Sequence, residues 1–148
     1  MTTAALAAVL AGTTVAAAAT PSNSDLQVVR LDPDPAGPGS DTTLHAFVAN
    51  GGPDTTASPF TVIVELPYGF TAHGPYFPAS CVSWLNNNMV QCAFPAGLPA
   101  LRTATALIPI HVDPSVPHGT KADWHLEVFS EDHHYESDES TLFTLTVS

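Results

Sequence analysis

Fourteen prolines are spread along the chain from Pro21 to Pro117, and they constrain its fold more than any other feature. A proline inside a helix removes a hydrogen bond and clashes with the preceding turn, at about 3 kcal/mol. A helical bundle is therefore excluded. Between the prolines, apolar residues alternate with period two, the mark of a strand with one buried face. This spacing predicts strands at Asp25–Leu31, Thr42–Asn50, Phe60–Leu66, Cys81–Leu85, Met89–Phe94, Thr103–Asp113, Asp123–Ser130 and Thr141–Ser148. Turn-forming stretches rich in Gly, Pro, Asn and Asp separate them. Strands with one apolar face need a second sheet to cover it. The expected fold is all-β: an antiparallel β-sandwich of about 7–9 strands. Phe70 and Phe77 are suited to plug the ends of its core.

Met1–Thr20 (MTTAALAAVLAGTTVAAAAT) carries no charge and ends in small residues. It reads as a cleaved signal peptide whose basic start is missing. Residues 21–148 then form one domain, secreted and free of the membrane once the signal is removed. The charge pattern agrees. Fourteen acidic residues face only Arg30, Arg102 and Lys121, for a net charge of −11. Nucleic-acid binding needs a Lys/Arg patch, and docking on anionic lipid needs the same. Both are excluded.

Cys81 and Cys92 flank a turn at Asn86-Asn87-Asn88. On the facing strands of a hairpin they stand within reach of a disulfide, which export favours. A redox pair would have the tighter C-x-x-C spacing, and a structural zinc site would want four ligands in pairs.

The order of these pieces resembles a bacterial surface-repeat module, the immunoglobulin-like family catalogued as domain of unknown function eleven. The matching residues are Asp25–Leu31, the connector Pro33–Gly39, and the turn at Asn50 with Gly52-Pro53-Asp54. They continue through Leu66-Pro67 with Gly69-Phe70, Cys81 and Cys92, Gly97-Leu98, and the apolar strand Ala106–Val112. The resemblance spans about residues 25–148. It implies a spacer, adhesion or cell-surface role without catalysis, and an unidentified protein or cell-surface component as partner.

Chemistry, if present, lies in loops or on strand surfaces. Glu131–Glu139 packs five carboxylates and two imidazoles into nine residues. Asp132, Glu136 and Asp138 are candidate ligands for Ca²⁺, although no EF-hand spacing is present. The same loop, through His133-His134, or the strand histidines His45, His111 and His125 are candidates for Zn or Cu. The alternatives are a solvated acidic loop and ordinary surface histidines. No G-x-S-x-G elbow or phosphate-binding glycine loop occurs, so no enzyme activity and no cofactor beyond these ions is expected. Tyr68, Tyr76 and Trp84 are candidate interaction aromatics, since exposed rings can anchor a partner. The acidic charge favours solubility, and a monomer is expected.

Overall fold

The computed structural model describes residues 20–132 and 139–148, so all of the expected signal but Thr20 lies outside it. Among these residues nine strands form: β1 (Leu26–Val29), β2 (Asp41–Asn50), β3 (Phe60–Glu65), β4 (Phe70–Ala72), β5 (Cys81–Trp84), β6 (Met89–Phe94), β7 (Thr103–Val112), β8 (Lys121–Ser130) and β9 (Ser140–Thr146). They pair antiparallel in two sheets, ordered β1-β2-β7-β4 and β5-β6-β3-β8-β9. The chain is an all-β sandwich.

Alternation along each strand builds the core. Leu44, Ala46 and Val48 of β2 share the inner side of the first sheet with Ala106, Ile108, Ile110 and Val112 of β7, and Leu44 lies directly opposite Ile108. Val62 and Val64 of β3 lie beside Leu126 and Val128 of β8 on the inner side of the second. Phe143 stacks on Trp124 between them, with ring centres 4.6 Å apart. Burying one such Leu, Val or Phe contributes about 1.5–3 kcal/mol. The indole N–H of Trp124 is buried and finds no acceptor among the described residues.

All eight expected strands are present, some shortened at their ends. The ninth, β4, pairs with the end of β7, placing Phe70 opposite Val112. Phe70 is buried as expected, but Phe77 is 59% exposed. It does not plug the core. Its main chain exchanges hydrogen bonds with Leu107, which extends the sheet edge beyond β4 and leaves the ring outside.

The strand registers define two poles. The loops 51–59 and 95–102 lie at one, with the turn that follows β8. The loops 30–40, 66–69, 85–88 and 113–120 lie at the other. Ser22 belongs to the first pole and Ser148 to the second, where it donates its N–H to Ala36.

Candidate functional site

Cys81 and Cys92 stand directly opposite each other on β5 and β6, with Cα atoms 4.0 Å apart, and form the expected disulfide. Three consecutive residues with positive φ, Leu85, Asn86 and Asn87, close this hairpin. Asparagine tolerates that conformation and leucine rarely adopts it.

Asn50, read from the sequence as a turn residue, is fully buried. Its Nδ2 donates to the carbonyls of Asp54 (2.8 Å) and Leu98 (3.0 Å). Its Oδ1 accepts from the N–H groups of Asp25 (3.0 Å) and Gly52 (3.1 Å). One amide thus ties the entry of β1 to both loops at that pole. Gly52 is required there, because a Cβ would lie 2.4 Å from the Asn23 carbonyl oxygen.

Asp132, a candidate calcium ligand, is buried at the same pole. Its Oδ2 accepts from Ala57 N–H (2.6 Å), Ser58 N–H (2.8 Å) and the Ser22 hydroxyl (3.0 Å). Burial pushes its pKa up, but these hydrogen bonds together outweigh it, and the carboxyl titrates below its ordinary value. The carboxylate clasps the start of the domain to the turn after β8. Glu136 and Asp138, with His133 and His134, lie outside the described residues.

The strand histidines do not converge. His45 and His111 stand on the outer face of the first sheet, and His125 on the outer face of the second, where its Nδ1 lies 4.0 Å from Glu127. Strand parity decides this, since each histidine alternates with inward-facing core residues. His111 instead joins Asp41, its cross-strand neighbour, through an Nδ1–Oδ1 contact of 2.7 Å. His73 brings Nε2 to 3.5 Å from the same oxygen. The hydrogen bond with His111 is the main reason the Asp41 carboxyl titrates below its ordinary value, with the nearby His73 adding to it. The sequence hid this cluster, because His73 follows the short β4 and the β2–β7 register is a long-range property. It borders an open hollow of about 400 Å³ lined also by Thr71 and Asn87. Among the described residues, no group of three His, Cys, Asp or Glu side chains is placed to hold a metal ion.

Of the candidate aromatics, Tyr68 is 98% exposed and Trp84 57% exposed, while Tyr76 packs half-buried against the core. The turn bearing Tyr68 leans on the β5–β6 hairpin. Leu66 and Ala72 donate to the carbonyls of Asn88 and Asn87, and Asn88 Nδ2 donates to the carbonyl of Phe70. The structure thereby brings Tyr68 and Trp84 to one pole.

No family model and no curated protein matches the chain. Solved structures do. The major pilin subunit BcpA of Bacillus cereus, in a D312A variant, superposes with a TM-score of 0.53 at 10% identity, over 82% of this chain and 39% of the pilin. What they share is the fold. This chain spans about two fifths of that subunit's length. A 35 kDa C-terminal fragment of the Streptococcus agalactiae major pilin GBS80 gives a TM-score of 0.47 at 11% identity, covering 83% of this chain and 53% of the fragment. AvmM, which catalyses macrocyclization in alchivemycin A biosynthesis, gives 0.43 at 14% identity, covering 85% of this chain and 90% of its own. Both of these superpose too loosely to support an argument.

Proposed function

We propose that this chain is a non-catalytic extracellular module with a structural or adhesive role at a bacterial cell surface. The observation that carries this reading is the placement of its first and last strands. Strand β1 starts at the pole held by Asn50 and Asp132, and β9 ends at the opposite pole. A sandwich arranged in this way can bear load along its strands, which suits a spacer. The disulfide fits an oxidising compartment. The fold shared with a domain of a pilin subunit fits a surface role. The order of turns shared with the surface-repeat family points the same way.

Surface labelling of intact cells tests the reading, using an antibody raised against the folded domain, with alkylation of the extracted protein under non-reducing conditions. The expected result is labelling without permeabilisation and no free thiol. Protein found only after lysis, with both cysteines alkylated, overturns it.

A further inference from the structure

Of the chain's five asparagines, only Asn50 is followed by glycine. Such a pair is the asparagine sequence most open to spontaneous deamidation, because glycine has no Cβ to shield its main-chain nitrogen from the preceding side chain. In that reaction the Gly51 nitrogen attacks Cγ of Asn50. A bond forms between them, the Cγ–Nδ2 bond breaks, and the glycine proton leaves with Nδ2 as ammonia. Water then opens the resulting imide at either carbonyl. One product is an aspartate at position 50. The other is isoaspartate, whose main chain runs through the former side chain. Nothing is oxidised or reduced, and water is the one reagent consumed.

The fold withholds the nucleophile. Gly51 donates its N–H to the Asp25 carbonyl at 2.7 Å. The nitrogen must give up that proton before it attacks, so the bond to Asp25 has to open first. The Asn50 main chain is pinned as well, donating to the Arg102 carbonyl (2.9 Å) and accepting from Leu101 N–H (2.8 Å). Its side chain is fully buried, with Nδ2 held by the Asp54 and Leu98 carbonyls. The N–H groups of Asp25 and Gly52 on Oδ1 draw electron density from Cγ and would favour attack. What holds the reaction off is therefore the fixed main chain of Gly51.

We propose that Asn50-Gly51 is a modification site that folding closes, converted by water only in chains whose pole is open. The conversion runs one way. At neutral pH an aspartate at position 50 sets a carboxylate oxygen where Nδ2 stands, against the carbonyl oxygens of Asp54 and Leu98. A buried charge facing two unpartnered acceptors is costly. Isoaspartate lengthens the main chain by a carbon at the point where it bonds to Arg102 and Leu101. Either product removes the amide that ties β1 to both loops, so a chain left unfolded too long cannot rebuild the pole. The pair acts as a timer on the unfolded state. The inference does not rest on the spacer reading, because it concerns the main-chain chemistry of the pole.

Peptide mapping by mass spectrometry tests it, on the purified full chain incubated in heavy-oxygen water at mildly alkaline pH. Two samples are compared, one folded and one unfolded in urea, both with the disulfide intact. The unfolded chain should take up heavy oxygen at position 50. The folded chain should do so about a hundredfold more slowly, the factor for local opening that costs ~2.7 kcal/mol. Once urea is removed, unconverted chains should regain the thermal transition of the parent and converted chains should not. Gly51→Ala should still fold, since its Cβ would meet only the outer atoms of the Asp25 and Gln27 side chains. Unfolded, it should react about tenfold more slowly than the parent, as a barrier raised by ~1.4 kcal/mol gives. Equal rates in the folded and unfolded parent overturn the proposal. So does an unfolded chain that stays unconverted, an unfolded Gly51→Ala chain that reacts as fast as the parent, or a converted chain that refolds with the parent's transition.

Discussion

The clearest electrostatic role belongs to Asp132, whose carboxylate holds two backbone N–H groups and a serine hydroxyl in a buried position. Its pKa in the folded protein lies below the ordinary 3.8, because the hydrogen bonds outweigh burial. A lowered pKa means that folding favours the ionised form. The contribution is complete at neutral pH and starts to fade as pH falls toward 3.8. It is gone once pH is below the lowered folded value. Asp132→Asn keeps the size of the side chain but replaces Oδ2 with an amide, or an oxygen of weaker accepting power, against two buried N–H donors. The expected cost is about 2 kcal/mol at pH 7, on the scale of lost hydrogen bonds to charged groups. Thermal melts from pH 7 down to pH 2.5 should show the gap between parent and variant closing in acid. A gap of constant size would remove the carboxylate's charge from the explanation. The sequence marked Asp132 as a residue of interest but for a different task. Its acidic neighbourhood suggested a cation, whereas its partners Ala57 and Ser58 come from a loop more than seventy residues earlier.

Among the elements, the β5–β6 hairpin was the most legible, because every cue for it is local. Two short alternating runs flank three asparagines, and the cysteines fall at mirrored positions. Closing so short a loop in the unfolded chain gives a disulfide about 3 kcal/mol of stabilisation in the entropy model. Cys81→Ser/Cys92→Ser should lower the urea midpoint accordingly, and a reductant should destabilise the parent by a similar amount while leaving the double variant unchanged. A variant as stable as the parent would show that strand pairing alone closes the hairpin. Strand β4 was not legible. Its three residues follow Pro67 and Gly69, which read as a turn, and the pairing that makes them a strand comes from Val112 and Ile110 at the far end of β7. The guard on β9 was hidden in the same way. This edge strand has no charged residue, and Asp32 accepts the N–H of Thr144 at 3.0 Å while Ala36 pairs with Val147. The hydrogen bond from Thr144 is also the leading reason the Asp32 carboxyl titrates below its ordinary value. The Pro-rich connector looks structureless as sequence, yet it closes an edge that would otherwise invite pairing.

For the molecule as a whole, entry and exit at opposite poles determine how it meets tension. Strand β1 starts at the pole of Ser22 and runs antiparallel to β2, while β9 ends at the pole of Ser148 and runs antiparallel to β8. Pulling the two ends apart therefore draws each terminal strand along its own axis. Hydrogen bonds between strands lie across that axis, so the whole ladder is loaded together. The ends are secured beyond the ladders as well. Asn23 donates to Asp54, and Val147 and Ser148 bond to Thr120 and Ala36. Attachment at Ser22 and at the loop around Gly97 loads the molecule differently, because both points lie at one pole, and β6 and β7 are then drawn away from their neighbours bond by bond. Forced unfolding reports the unfolding barrier along the direction pulled. Single-molecule extension from the two chain ends should therefore need a higher force than extension from Ser22 and the Gly97 loop. Equal forces in the two geometries would mean that the core yields before either ladder does, and would take away the mechanical advantage on which a spacer role depends.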